Sequence, residues 1–93
     1  MPYELAFLDP ALKEWRKLDH NTRSQFKKRL EERLAHPRVP SAKLQGSTDR
    51  YKIKLRSVGY RLVYEVRDQV LLVVVIAVGK REHDDVYRQA DKR

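Results

Sequence analysis

Residues 70–78, Val-Leu-Leu-Val-Val-Val-Ile-Ala-Val, form an apolar run without a polar face. β-branched side chains dominate it, and its nine residues fall well short of the roughly 20 that a membrane-crossing helix needs. The run therefore reads as a strand covered on both sides. A chain of 93 residues has one core to offer such a strand. Residues 1–93 are accordingly expected to make one domain, with the other elements layered on this strand.

The flanking segments change period once. Asp9 is placed to cap a helix whose first position is Pro10, where a missing amide is harmless. That helix runs to about Leu18 and carries Ala11, Leu12, Trp15 and Leu18 on one face. Asp19 to Thr22 supply a break. A second helix bears Phe26, Leu30 and Leu34 at i, i+4, i+8 and ends at His36, which Pro37 forces out of helical geometry. Arg23, Lys27, Lys28, Arg29 and Arg33 on the outside of this α-hairpin read as solvated helix surface. Residues 37–50 read as a loop. From Tyr51 the period becomes two. Tyr51, Ile53 and Leu55 alternate with Lys52, Lys54 and Arg56; Tyr60, Leu62, Tyr64 and Val66 alternate with Arg61, Val63 and Glu65. Arg67 to Gln69 form the next turn, and Gly79 is expected to end the sheet. Residues 1–8, with Tyr3, Leu5 and Phe7 alternating, predict a further strand. Asp84 or Asp85 caps a final short helix holding Val86, Tyr87 and Ala90. The expected class is α+β, in the order βααβββα, with an N-terminal α-hairpin packed on a mainly antiparallel four-stranded sheet.

Charge then points to a partner. Lys and Arg number 21 against 13 Asp and Glu, a formal charge of +8, and nucleic acid is the commonest polyanion for such a surface. Register concentrates part of that charge. If the apolar sets of both strands face the core, the loop between them holds an even number of residues. A two-residue loop would put Val58 at positive φ, so a four-residue loop, Ser57 to Tyr60, is expected. Arg56 then pairs with Arg61, and Glu65 stands opposite Lys52. Lys52, Lys54, Arg56 and Arg61 share one face, with Lys52 and Lys54 about 6.6 Å apart. Like charges so placed are costly unless an anion binds there or the side chains splay into water. Lys80 and Arg81 follow the apolar strand and can add to this patch.

Other chemistry is sparse. No cysteine is present, and His20, His36 and His83 are not at metal-ligand spacing. No metal site or cofactor is expected. No charged-then-apolar leader opens the sequence, so a cytoplasmic protein without a membrane segment is expected. A cationic patch without a carboxylate pair suits an RNA phosphodiester, whose own 2′-hydroxyl is the nucleophile. That reaction needs a base for the hydroxyl, cations for the charged phosphorane and help for the leaving 5′-oxygen. A lysine amine among other cations gives up its proton more readily, because the neighbouring charge repels it.

Several segments carry a family resemblance: residues 11–18 (Ala-Leu-Lys-Glu-Trp-Arg-Lys-Leu), 43–46 (Lys-Leu-Gln-Gly), 51–56, 59–64 (Gly-Tyr-Arg-Leu-Val-Tyr) and 78–82 (Val-Gly-Lys-Arg-Glu). Together they resemble the RelE toxins of bacterial and archaeal toxin–antitoxin pairs over nearly the whole chain. The Gly-Tyr-Arg and Lys-Leu-x-Gly patterns are shared with the related ParE toxins, which inhibit DNA gyrase; Lys52, Lys54, Arg81 and Tyr87 are the discriminating set. The resemblance implies a ribosome-dependent endoribonuclease that cuts messenger RNA in the A site without a metal. It makes Lys54 the base, Lys52 and Arg61 the stabilisers of the phosphorane, Arg81 the aid to the leaving oxygen and Tyr87 the group that positions the RNA. Arg81 acts by electrostatics, since a guanidinium keeps its protons. His83 and Arg56 are accessory candidates. The implied partners are a cognate RelB-like antitoxin, the ribosome with messenger in its A site and, only through the antitoxin complex, operator DNA. The alternatives are a ParE-like gyrase inhibitor that cuts nothing and a generic basic RNA-binding module.

Overall fold

The computed structural model describes residues 2–82 and 85–93. In chain order these form β1 (Glu4–Phe7), α1 (Asp9–Arg16), α2 (His20–Ala35), β2 (Arg50–Leu55), β3 (Tyr60–Arg67), β4 (Leu72–Lys80) and α3 (Asp85–Asp91). The order is the expected βααβββα. The sheet runs β1-β4-β3-β2, with β1 parallel to β4 and the other two pairings antiparallel. Among the described residues no helix is long and apolar enough to cross a membrane.

Burial on both faces of β4 makes three layers. Ala11, Leu18, Phe26, Leu30 and Leu34 of the α-hairpin cover one face, meeting Ile53, Leu62, Tyr64, Val73 and Val75. Val86 and Ala90 of α3 cover the other, against Val63, Val74, Ile76 and Ala77. A bulge lets β4 serve both. Val63 pairs with Ala77 and Tyr64 with Val75, so Ile76 is an extra residue and the alternation shifts there by one position. Ile76 and Ala77 consequently both lie on the α3 side, and Val78 returns to the hairpin side.

Phe26 is fully buried in the hairpin layer, with Trp15 tilted against it at a centroid separation of 6.3 Å and Phe7 tilted against Trp15 at 5.3 Å. Phe26→Ala is expected to destabilise the fold by about 3–5 kcal/mol, read as a lowered denaturant midpoint with little change in slope.

Several boundaries differ from those read in the sequence. Asp9 lies inside α1 as its first residue, and the capping position falls to Leu8, which makes no side-chain cap. The break between helices is shorter than Asp19–Thr22, because Asp19 itself caps α2 by accepting from the Thr22 amide. Val70 and Leu71 do not belong to the central strand. Asp68–Val70 form a 3-10 turn that Leu71 closes at φ 54°, and both apolar side chains are exposed. Asp68 is held there by the Tyr3 hydroxyl and by Arg38, so β3 extends through Arg67 and the turn starts one residue later than expected. Gly79 does not end the sheet either, since Lys80 still pairs with Tyr60. A Cβ on Gly79 would stand 3.0 Å from a Val86 methyl. The glycine there lets α3 approach β4.

Candidate functional site

The hairpin of β2 and β3 alternates as predicted. Tyr51, Ile53 and Leu55 are buried under α2, while Lys52 and Lys54 are half-buried on the opposite face. Arg61 and Val63 share that face on β3, and Val63 packs with α3. The cations therefore sit on the same side of the sheet as α3.

The register is two residues from the expected one. Lys54, not Arg56, is the cross-strand neighbour of Arg61; Lys52 faces Val63, and Glu65 faces Arg50. The loop is the four residues Arg56–Gly59 rather than Ser57–Tyr60. Gly59 is its only residue that adopts positive φ without strain; it does so at 70° and donates to the Leu55 carbonyl at 2.9 Å. That closes the turn before Tyr60. A slip of two preserves every residue's face, so the cationic patch survives while its pairs change.

Three groupings result. Lys54 and Arg61 are direct neighbours, an unfavourable like-charge pair worth about 0.2–1 kcal/mol. Toward the turn, Arg56, Val58, Gly59, Lys80 and Arg81 line a surface cleft of about 360 Å³. The Arg81 amide donates to the Gly59 carbonyl at 2.9 Å, which fixes the start of the Arg81 side chain beside the hairpin turn. In the other direction Lys52 shares a cleft of about 310 Å³ with Leu44, Gln45, Tyr87 and Asp91. Tyr87 is half-buried, packed against the α3-side core with one edge in this cleft. The cations thus form a line along the hairpin, from Arg56 and Arg81 at the turn, through Lys54 and Arg61, to Lys52 beneath Tyr87. His83 and Asp84 lie outside the described residues. Among the described residues no three His, Asp or Glu side chains are grouped as metal ligands.

Sequence reasoning began the strand at Tyr51 and so missed Arg50, which continues the same alternation. It also missed Leu44 and Gln45, which reach the cleft because Leu44 donates to the Arg50 carbonyl and Lys43 bridges to Tyr51. Periodicity cannot detect a loop that folds back along a strand edge.

Acidic groups tie down the far end of the hairpin. Burial pushes the Glu65 carboxyl up, but Arg67 at 2.7 Å and Arg50 at 3.0 Å outweigh it and the net displacement is downward. Asp68 is held low by the Tyr3 hydroxyl and then by Arg38, which also bridges to Asp49. Both carboxyls are therefore more acidic folded than unfolded. Their stabilisation is fully present above the ordinary carboxylate values near pH 4 and is lost as pH falls through the lower folded values. Stability is expected to be nearly flat from about pH 7 to pH 5 and to decline below about pH 4. Glu65→Gln should flatten that decline in denaturant titrations at stepped pH.

A basic line on one hairpin, flanked by a helix-borne tyrosine, has relatives. A family model described as the ParE toxin of the type II toxin–antitoxin system parDE matches residues 5–85, and the chain belongs to that toxin family. Within it, the chain is 57% identical over 93 residues to the mRNA interferase toxin RelE of Escherichia coli strain K12, covering all of this chain and 98% of that protein. The free-state structure of an E. coli RelE mutant with two arginines replaced by alanine superposes with a TM-score of 0.92 at 56% identity, over 100% of this chain and 98% of that one. The RelE of the intact E. coli RelBE toxin–antitoxin complex matches with a TM-score of 0.83 at 57% identity, over 87% of this chain and 99% of that one.

Proposed function

We propose that residues 1–93 act as one toxin domain, a ribosome-dependent mRNA endoribonuclease that cuts messenger in the A site by attack of the RNA's own 2′-hydroxyl. The observation that carries this reading is the grouping of the cations: the register sets Lys54 against Arg61, and α3, lying across the same face, brings Tyr87 into one cleft with Lys52. The full-length likeness to an mRNA interferase supports it.

In this mechanism Lys54 takes the 2′-hydroxyl proton as the 2′-oxygen attacks phosphorus in line. Lys52 and Arg61 hold the charge that grows on the phosphorane oxygens. The bond from phosphorus to the 5′-oxygen breaks, and Arg81 stabilises that oxygen until a proton from the medium completes it. Tyr87 stacks on a base and fixes the sugar. The chemistry uses no metal or cofactor. Both clefts are surface features, so the alignment that in-line attack requires comes from the ribosome, which holds the messenger against the toxin.

The partners follow from the same reading. A RelB-like antitoxin neutralises the protein in the cytoplasm, as the solved RelBE complex of a relative supports, and operator DNA is contacted only through that complex. The ParE match favours a second reading, a gyrase inhibitor that leaves RNA intact. Adding the purified protein to programmed ribosomes and mapping messenger ends separates the two. Cleavage within the A-site codon, with free messenger left whole, is expected; intact messenger together with inhibited gyrase supports the second reading.

A further inference from the structure

Arg50 stands on the same face as Lys52 and Lys54, yet its guanidinium is engaged within the protein. Its Nε meets Glu65 at 3.0 Å and its Nη1 donates to the Ala90 carbonyl at 2.6 Å. That carbonyl belongs to the last turn of α3 and also accepts from the Arg93 amide at 3.0 Å; at this end of a helix a cation is favoured. At seven residues α3 is far below the length at which an isolated helix is stable, so tertiary ties decide its position. Val86 and Ala90 supply apolar ties. On the side away from β2, Arg93 grips Glu14 with both terminal nitrogens, at 2.9 Å and 3.1 Å, and donates to the Ile76 carbonyl. Glu14 in turn accepts from the Val78 amide, past the last pairing of β1 with β4 at Val75. Arg50 is a tie on the cleft side, where α3 carries Tyr87 and Asp91 against Lys52.

We infer that Arg50 is a positioning residue for Tyr87: by joining Glu65 of β3 to the end of α3, it sets the spacing between Tyr87 and Lys52. This rests on the reading of Tyr87 as the side chain that positions RNA. The patch therefore divides its cations, with Lys52 and Lys54 given to substrate and Arg50 to architecture.

The test combines cleavage with a direct view of α3 in the full-length protein. Arg50→Met keeps the aliphatic length and removes both polar contacts. It is expected to slow single-turnover cleavage on programmed ribosomes about tenfold, as misplaced positioning groups do, with ribosome affinity unchanged. Amide exchange at residues 89–91 should rise about tenfold, since opening of α3 becomes easier. Arg50→Lys should recover part of both. The decisive arm is the double variant. In a Tyr87→Ala background, Arg50→Met should cause no further loss of rate, because its effect passes through Tyr87. An equal further loss there overturns the inference and makes Arg50 a general stabiliser. Unchanged exchange at 89–91 in Arg50→Met overturns the tie itself. Cleavage at the wild-type rate by Tyr87→Ala overturns the reading of Tyr87 and the positioning role with it, a failure recognisable because the exchange result stands apart from it.

Discussion

Lys54→Ala is expected to slow messenger cleavage on programmed ribosomes by about 10²–10⁴-fold, the usual contribution of a positioned general base. Ribosome affinity should change by no more than about twofold, because the lost interaction belongs to the transition state. Lys54→Arg sharpens the test. It keeps the positive charge beside Arg61, but a guanidinium does not give up a proton in this range. If Lys54 is the base, Lys54→Arg stays close to Lys54→Ala; if its charge alone matters, Lys54→Arg recovers most of the rate. Arg81→Ala should also slow cleavage more than it weakens binding, whereas Arg81→Lys should retain a substantial rate because Arg81 acts by charge. Single-turnover rates at saturating toxin give these numbers directly, and thermal unfolding checks that each variant is folded.

The fold was legible where one physical rule governed a segment. The unbroken run of residues 70–78 identified a strand covered on both faces, and α1 and α3 do cover β4. The i, i+4, i+8 spacing of Phe26, Leu30 and Leu34 identified the buried stripe of α2, and all three are buried. Turns were less legible, because several local rules compete there. Asp9 has the chemistry of a cap, but the chain leaving β1 enters the helix at Leu8 and makes Asp9 its first residue. Val70 and Leu71 belong to the run by composition, yet Tyr3 and Arg38 fix Asp68 from distant parts of the chain and turn them outward. The bulge at Ile76 left no mark in a run where every residue is apolar.

For the candidate site, parity was stronger than register. The alternation from Tyr51 put Lys52, Lys54 and Arg61 on one face, and any even slip keeps them there. Which pair stands opposite depends on where the loop closes, and that is decided by Gly59 at positive φ. The grouping of Lys52 with Tyr87 was not legible from spacing at all. It depends on α3 lying across the sheet, which in turn depends on Gly79 and on the grips of Arg50 and Arg93.

The other large effect concerns the substrate. If the 2′-oxygen is the nucleophile, replacing the cleavage-site ribose by its 2′-deoxy form removes the attacking atom and should abolish cutting, while binding persists through the untouched phosphates. The products from normal messenger should carry a 2′,3′-cyclic phosphate and a 5′-hydroxyl. A metal-activated water attacks without the 2′-hydroxyl and is stopped by chelation. The most direct measurement is therefore cleavage by the wild-type protein on ribosomes programmed with a messenger carrying one 2′-deoxy sugar at the mapped site, alongside the all-ribose messenger. Magnesium is kept at the level that ribosomes need, and the ends are identified chemically. The account predicts cutting of the all-ribose messenger to cyclic-phosphate ends and no cutting at the deoxy position. Cleavage at the deoxy sugar at an undiminished rate would contradict it.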